Sequence, residues 1–492
     1  MPERNDGPPA PAGGFAAVHE THIGVVFLVG DRAYKIKKPV DLGFLDFSTP
    51  ELRRAACARE VELNRRLAPD VYLGVAELSD VDGTVEPVVV MRRMPADRRL
   101  ATLVREGADV TSAVDRLARM VAAFHSTADR GPEIDGEGSR DAIERRWRDS
   151  FEQVRPLGVL GTAEFTEIER RALEFLAGRA ALFDRRIAEG RVVDGHGDLL
   201  ADDVFCLDDG PRVLDCLEFD DRLRWLDGLD DIAFLAMDLE RLGSPALARR
   251  LLARYAEFAG DPSPASLRHH YVAYRAFVRA KVACLRSAQG DPGSAGQARE
   301  YAAVALRHLR AGGPRLVLVG GLPGTGKSTL AGRIADELGA VLLSSDRLRK
   351  ELAGVSPHES RAAGYGAGIY SSGHTELTYG ELRHRAEELL ALGETVVLDA
   401  SWIHASERAA VTDVAVRTHS ELRALRCVAP PEVAARRIRD RHGDVSDADP
   451  AVAARMAADA EPWPEATEID TTVPPDAALA QAVAALDAGH HS

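Results

Sequence analysis

Residues 321–328 read Gly-Leu-Pro-Gly-Thr-Gly-Lys-Ser, between the apolar run RLVLVG (315–320) and a stretch of helical character. The pattern G-x-x-x-x-G-K-[ST], after a strand and before a helix, is that of a phosphate-binding loop. Its glycines let backbone N–H groups approach phosphate oxygens with no Cβ between them. Gly321, Leu322, Pro323, Gly324, Thr325, Gly326, Lys327, Ser328 and Thr329 are therefore candidate nucleotide-binding residues. Lys327 can reach the β- and γ-phosphates, Ser328 can ligate Mg²⁺, and the helix N-terminus adds its dipole. Further on, AVLLS, TVVLDA and LRALRC are short apolar runs separated by helical segments. Buried runs alternating with helices predict an α/β domain around a parallel sheet.

Two acids close neighbouring runs. Asp346 follows AVLLSS, where a carboxylate can accept the proton of an attacking hydroxyl, and Asp399 ends VVLD, where a second acid polarises Mg²⁺ or its water. Helix capping is the competing reading for both. Arg349, three residues after Asp346, can grip an anionic or polar substrate group. Arg437 and Arg441 are spaced to share one helical face, either as a lid over the transferring phosphoryl group or as a solvated basic stripe.

These features resemble the small P-loop kinases, a group that includes gluconate kinase, chloramphenicol phosphotransferase, zeta toxin and polynucleotide kinase. The likeness rests on the loop, on Asp346-x-x-Arg349, and on the Arg-rich segment followed by Ser446-Asp447-Ala448; it covers about residues 314–475. It implies phosphoryl transfer from ATP or GTP with Mg²⁺, to a hydroxyl it does not identify.

Working outward, Ala311–Pro314 is rich in Gly and Pro, so 310–314 is a linker and 315–492 the second domain. Residues 1–14 are a Pro- and Gly-rich tail predicted to be disordered. IGVVFLV, a Gly30-Asp31 turn and AYKIKK predict a β-hairpin. A helix over Glu51–Leu67 and a strand over Val85–Met94 follow. From Thr111 the pattern turns helical, with Val114, Leu117, Val121 and Phe124 on one face. Phe165–Ile187, Ile232–Leu242 and Leu267–Leu285 continue it, around a strand-loop-strand segment at Val192–Phe219. No internal repeat relates the two halves.

The segment His196-Gly-Asp198-Leu-Leu-Ala-Asp-Asp203 has the spacing of a kinase catalytic loop, H-x-D-x-x-x-x-N. Asp198 would orient or deprotonate a substrate hydroxyl. Asp203 stands where Asn is usual, as a metal ligand with an extra charge. Asp215, ending RVLD, is placed for the principal Mg²⁺. Ala33-Tyr-Lys35-Ile-Lys37 resembles the strand whose lysine holds the α/β-phosphates; Lys35 and Lys37 share a face, which leaves the choice open. Glu60, on the next helix, is the ion-pair partner.

Together with LDCLEFDD and the segment ending in Asp231, these motifs resemble the aminoglycoside phosphotransferase-like kinases over about residues 15–305. The resemblance implies a bilobal, protein-kinase-like α+β domain at 15–309, its N-lobe at about 15–95 and its C-lobe at 96–309. A nucleotide-clasping Gly-rich loop is missing, since only Gly24 and Gly30 are available. The whole chain resembles a bacterial family called bifunctional aminoglycoside phosphotransferase/ATP-binding proteins. A cationic acceptor would need an acidic pocket, and Glu218, Asp220, Asp221 and Asp227 are the run available for one. Conversely Arg275 and Arg279, with Lys281 and Arg286, could meet an anionic acceptor or form a solvated face.

Composition sets the outer bounds. The 492 residues are 45% hydrophobic and 28% charged, as in globular protein, with a formal charge of −15. That charge speaks against a non-specific nucleic-acid binder. The N-terminus has no apolar core for a secretory signal, and no apolar run approaches the roughly 18 residues a membrane span needs. The five scattered cysteines, Cys57, Cys206, Cys216, Cys284 and Cys427, lack metal-ligand spacing and fit a reducing cytoplasm. His125, His490 and His491 also lack such spacing. The expectation is a cytoplasmic kinase acting on a small-molecule hydroxyl. A nucleotide-sensing scaffold and a polynucleotide 5′-hydroxyl kinase are the rivals.

Overall fold

Strands β2 (Gly24–Val29) and β3 (Arg32–Lys37) form the predicted hairpin, turning at Gly30, whose φ of 59° is a left-handed conformation suited to glycine. In this computed structural model residues 17–20, 24–41, 45–79, 85–356, 371–440 and 449–488 are described. Arg441, Ser446–Ala448, the 1–14 tail, His490 and His491 lie outside them. Two compact units result. One comprises Met1–Glu169, Phe183–Ser263 and Arg268–Leu309; the other comprises Arg170–Leu182, Pro264–Leu267 and Arg310–Ser492.

In the first unit β1 (Ala17–Glu20), β4 (Tyr72–Ser79) and β5 (Val85–Arg92) complete an antiparallel sheet of order β1-β2-β3-β5-β4. Helix α1 (Pro50–Asn64) starts at Thr49, whose side chain accepts from the Leu52 N–H, with Pro50 in the first turn. It ends one turn earlier than the sequence suggests. Its Cys57 and Val61 pack on Ala33, Val89 and Met91 of the sheet, which aims Glu60 at β3.

The remainder of this unit is mostly helical. Helix α2 (Thr111–Thr127) buries Val114, Leu117, Val121 and Phe124, as their spacing predicts. The stretch expected as one helix, Phe165–Ile187, is two, Thr162–Ala177 and Ala180–Ala188, of which Arg170–Leu182 belongs to the second unit. Apolar spacing runs on across the break at Gly178, so periodicity alone does not show it. Two short antiparallel pairs frame the catalytic-loop segment: β6 (Val192–Asp194) with β9 (Trp225–Asp227), and β7 (Val204–Leu207) with β8 (Gly210–Val213). Helices α3 (Gly228–Arg241), α4 (Ala265–Ala288) and α5 (Ser294–Ala311) follow.

The second unit is built on a wholly parallel sheet. Strands β10 (Arg315–Gly320), β11 (Val341–Ser344), β12 (Val396–Asp399), β13 (Glu421–Val428) and β14 (Thr467–Asp470) lie in the order β11-β12-β10-β13-β14. Alternate residues of β10 serve opposite cores: Leu316 and Leu318 on one face, Val317 and Val319 on the other. Burial on both faces is why these strands read as continuous apolar runs. The chain leaves β10 at the centre of the sheet, where the strand order reverses, and ligands of open α/β sheets bind outside such a carboxyl edge.

All five cysteines are free and buried, as small core side chains. No helix among the described residues is long and apolar enough to cross a membrane.

Candidate active sites

In the first unit, residues far apart in sequence converge through charge. Lys35 Nζ lies 2.8 Å from Asp215 Oδ1 and 2.9 Å from Glu60 Oε1. Lys37 Nζ lies 2.7 Å from Glu60 Oε2 and 2.6 Å from Glu218 Oε1. The two lysines on one strand face thus share Glu60 but are not equivalent. Lys37 is sealed, 2% exposed, between two carboxylates. Lys35 is the lysine that meets Asp215, whose side chain is 55% exposed. Lys35 is therefore the lysine that faces Asp215, and Lys37 is a brace that fixes Glu60. Glu218, placed in an acidic acceptor pocket from sequence, is instead Lys37's partner.

The electrostatics follow this pairing. Burial pulls the Lys35 ammonium down, but Asp215, Glu60 and Glu218 outweigh it and hold it well above its ordinary value. Lys35 in turn holds the Asp215 carboxyl below its usual range. Asp215 has a left-handed φ of 64° and donates its N–H to the Tyr72 hydroxyl at 3.2 Å. A non-glycine residue held there is backbone strain of the kind found at functional sites.

Asp198 sits on a loop tied down from several sides. The N–H groups of His196 and Gly197 donate to the two oxygens of Asp231, at 2.7 and 2.9 Å. The Ala201 N–H donates to Asp238 at 3.0 Å, and Arg275 Nη1 donates to the Gly197 carbonyl at 3.3 Å. His196 is kept neutral by burial; its Nε2 faces the Leu214 carbonyl and its Nδ1 faces the Asp198 N–H. His125, without ligand spacing in the sequence, hydrogen-bonds both Asp231 and Tyr255. It is a buttress that no local motif reveals.

Burial pushes the Asp198 carboxyl up to about 6, against the pull of Arg279 and Arg275. Asp203 is driven well above its ordinary value by burial and by Asp215 and Asp198. This crowding is what a divalent cation would relieve, so Asp203 and Asp215 fit Mg²⁺. Among the described residues no three His, Cys, Asp or Glu side chains form a metal cage, and Mg²⁺ characteristically takes one or two carboxylates plus phosphate oxygens.

In the second unit the site is made of backbone. Gly324 (φ 79°) and Gly326 (φ 84°) turn the loop into α6 (Lys327–Leu338). A Cβ on Gly324 would stand 2.5 Å from the Ala434 carbonyl oxygen, so only glycine lets α8 (Pro431–Arg439) cover the loop. Thr325 braces the turn from Oγ1 to the Leu322 carbonyl at 2.7 Å. Gly321, Leu322, Pro323, Ser328 and Thr329 complete the cradle after β10.

Asp399, at the end of β12, interacts with the Ser328 and Ser344 hydroxyls and with Lys327; burial still raises its pKa. Its Oδ1 is buried without a hydrogen-bond partner. An orphaned carboxylate oxygen beside Ser328 and the loop lysine fits Mg²⁺. Asp346 is a charged neighbour of Asp399. Helix α7 (Ser345–Leu352) is capped at Ser344 without a side-chain bond, so Asp346 is not the cap that the competing reading made it. Arg349 Nη1 donates to Thr375 Oγ1 at 3.0 Å.

Arg437 donates from Nη2 to the Thr471 carbonyl at 2.7 Å, and Thr471 Oγ1 donates to the Thr325 carbonyl at 2.6 Å. That relay holds Arg437 over the loop. Arg441, expected to share a helical face with it, lies outside the described residues.

The AAA domain family (AAA_33) matches residues 316–463. The uncharacterized protein Rv2004c of Mycobacterium tuberculosis is 46% identical over 95% of both chains, as is Mb2027c of Mycobacterium bovis. Among solved structures, a gluconokinase from Sinorhizobium meliloti is 19% identical (TM-score 0.27), covering 35% of this chain and 91% of its own. A choline/ethanolamine kinase family protein from Mesorhizobium loti is 16% identical (TM-score 0.40), covering 61% and 93%.

Proposed function

The chain belongs to the family of these mycobacterial proteins, and we propose that it is a phosphotransferase with two nucleotide sites. Each would move the γ-phosphoryl group of ATP, or GTP, to a hydroxyl of a small molecule. The observation that carries this reading is the junction of Lys35, Glu60 and Asp215 beside the anchored Asp198 loop.

At the first site Asp198 takes the proton of the acceptor hydroxyl while its oxygen bonds the γ-phosphorus. The bond to the β–γ bridging oxygen breaks, and the nucleoside diphosphate leaves. Lys35, oriented by Glu60, holds the α/β-phosphates. At the second site Asp346 takes the proton, the loop amides with Lys327 and Arg437 hold the phosphoryl charge, and Arg349 grips the acceptor. Bound Mg²⁺ would neutralise phosphate charge, held by Asp203 and Asp215 at one site and by Ser328 and Asp399 at the other. Positioning and fixed charges supply most of the acceleration. The free, buried cysteines support a reducing cytoplasm as its location.

The test is ATP-dependent transfer screened against sugars, amino sugars, nucleosides and antibiotics, with wild type, Lys327→Ala and Asp198→Ala. Each variant should lose its own share of product. Transfer unaltered in both variants would refute the reading.

A second reading has one observation in its favour. The crowding of Asp203 against Asp198 and Asp215 suits a first site that binds nucleotide without transferring, as a regulatory partner or scaffold. Transfer abolished by Lys327→Ala and untouched by Asp198→Ala would select it. Polynucleotide 5′-phosphorylation at the second site remains a distinct acceptor choice, and the net charge of −15 weighs against it.

A further inference from the structure

Of the acids that could have made an acidic pocket for a cation, three are already paired with basic side chains. Glu218 is bonded to Lys37 at 2.6 Å. Asp227 is gripped by Arg186 Nε and Nη2, both at 2.7 Å, inside the core. Asp221 pairs with Arg224 at 2.6 Å and Arg59 at 3.3 Å. Asp220 closes its own turn by accepting from the Arg222 N–H at 3.0 Å.

Two arginines act on Asp198, against Asp215 and Asp238 of the opposite sign, and Arg275 Nη1 reaches the neighbouring Gly197 carbonyl. Arg275 and Arg279 rise one turn apart from α4. Arg275 is spent: its Nε and Nη2 hold both oxygens of Asp230, at 2.7 and 2.9 Å. Arg279 is different. Asp198 is the carboxylate that acts on it most strongly, Asp238 acts on it more weakly, and Tyr301 is its hydrogen-bonding neighbour. Its Nε is buried without a partner, and among the described residues no carboxylate pairs with it. A half-buried guanidinium with an unpartnered Nε, one turn from the arginine that binds the Gly197 carbonyl, leaves part of its fork for a carboxylate or phosphate.

We propose that the first site's acceptor carries an anionic group, phosphate or carboxylate, close to the hydroxyl that is phosphorylated, and that Arg279 binds that anion. The proposal rests on the phosphotransferase reading of Asp198 and narrows it. The guanidinium offsets the charge that Asp198 would otherwise set against an anion, and it repels an ammonium brought to the same place. Arg279 is thus a specificity-determining residue, and the site favours acids over the amines that the family resemblance suggests.

The test uses the full chain carrying Lys327→Ala, saturated with a non-hydrolysable ATP analogue and Mg²⁺, so that the γ-phosphate position is filled. Calorimetry then compares three small alcohols: glycerol 3-phosphate, glycerate and ethanolamine. At least one anion should bind tenfold or more tightly than ethanolamine, and which one does separates phosphate from carboxylate. Arg279→Gln should weaken that anion at least tenfold, and Arg279→Lys, which keeps the charge without the fork, should recover part of it. Ethanolamine binding as tightly as the anions, no anion binding at all, or an anion affinity indifferent to both substitutions would overturn the proposal. Analogue uptake separates the two levels. If the Lys327→Ala chain takes up no analogue, the nucleotide reading of this site fails; uptake without anion preference sinks only the inference about Arg279.

Discussion

On the proposed reading the two candidate sites hold a triphosphate with opposite materials. In the second unit the work falls to main-chain N–H groups of a short glycine loop, positioned by a helix carbonyl packed against Gly324. In the first it falls to side chains drawn from β3, α1 and two loops, with Lys35 and Asp215 separated by 180 positions in the chain. A backbone site is intolerant of an added Cβ but indifferent to many charges nearby. A side-chain site is the reverse, because each buried charge exists only by virtue of its partner. Substitutions that respect this difference should separate the units cleanly.

The largest separation should come from Asp198→Ala, which removes a proton acceptor worth about 10²- to 10⁴-fold in rate. It should leave nucleotide uptake by the loop at 321–328 unchanged, as equilibrium binding to a chain carrying both Asp198→Ala and Asp215→Ala, compared with Asp215→Ala alone, would verify. Next is Lys37→Met. Losing the buried partner of Glu60 and Glu218 should cost the first unit about 3–5 kcal/mol, read as a drop in its own unfolding transition in denaturant. The second unit should unfold where it did before. Gly324→Ala is the mirror experiment. With a left-handed φ and a carbonyl oxygen in the way, it should cost the second unit about 1–3 kcal/mol and its nucleotide affinity, with transfer at Asp198 unaffected.

Legibility from sequence divides along the same line. The loop at 321–328 is contiguous, so its strand, turn and helix could be read together, and the parallel sheet followed from the apolar runs around it. The hairpin and the H-x-D spacing were legible for the same reason. The choice between Lys35 and Lys37 was not, since both point to one side of β3. Only the packing of α1 and the approach of Glu218 distinguish them. His125 was invisible because its partner, Asp231, lies 106 positions away. The acidic run at 218–227 stayed ambiguous because composition cannot tell a carboxylate facing a pocket from one already paired with lysine or arginine.

Acidity offers a smaller effect. With Asp198 raised to about 6, its basic form is lost as pH falls through that value. In the Lys327→Ala background, transfer should therefore decline roughly tenfold per unit below about pH 6 and be flat above it. A profile flat down to pH 5 would detach Asp198 from the proton transfer. The smallest change expected is from Asp203→Asn, which removes one of three crowded carboxylates. It should shift Mg²⁺ dependence or nucleotide affinity of the first site by only a few fold, seen in a metal titration, and leave the second site's curve superimposable.

The most direct measurement is the number of nucleotides each chain holds. Titrating the intact protein with a non-hydrolysable ATP analogue and Mg²⁺ in a calorimeter should give two per chain for wild type. Lys327→Ala and Asp215→Ala should each retain one, and the double variant none. A wild-type chain that takes up a single nucleotide, lost wholly with either substitution, would contradict two separately built sites.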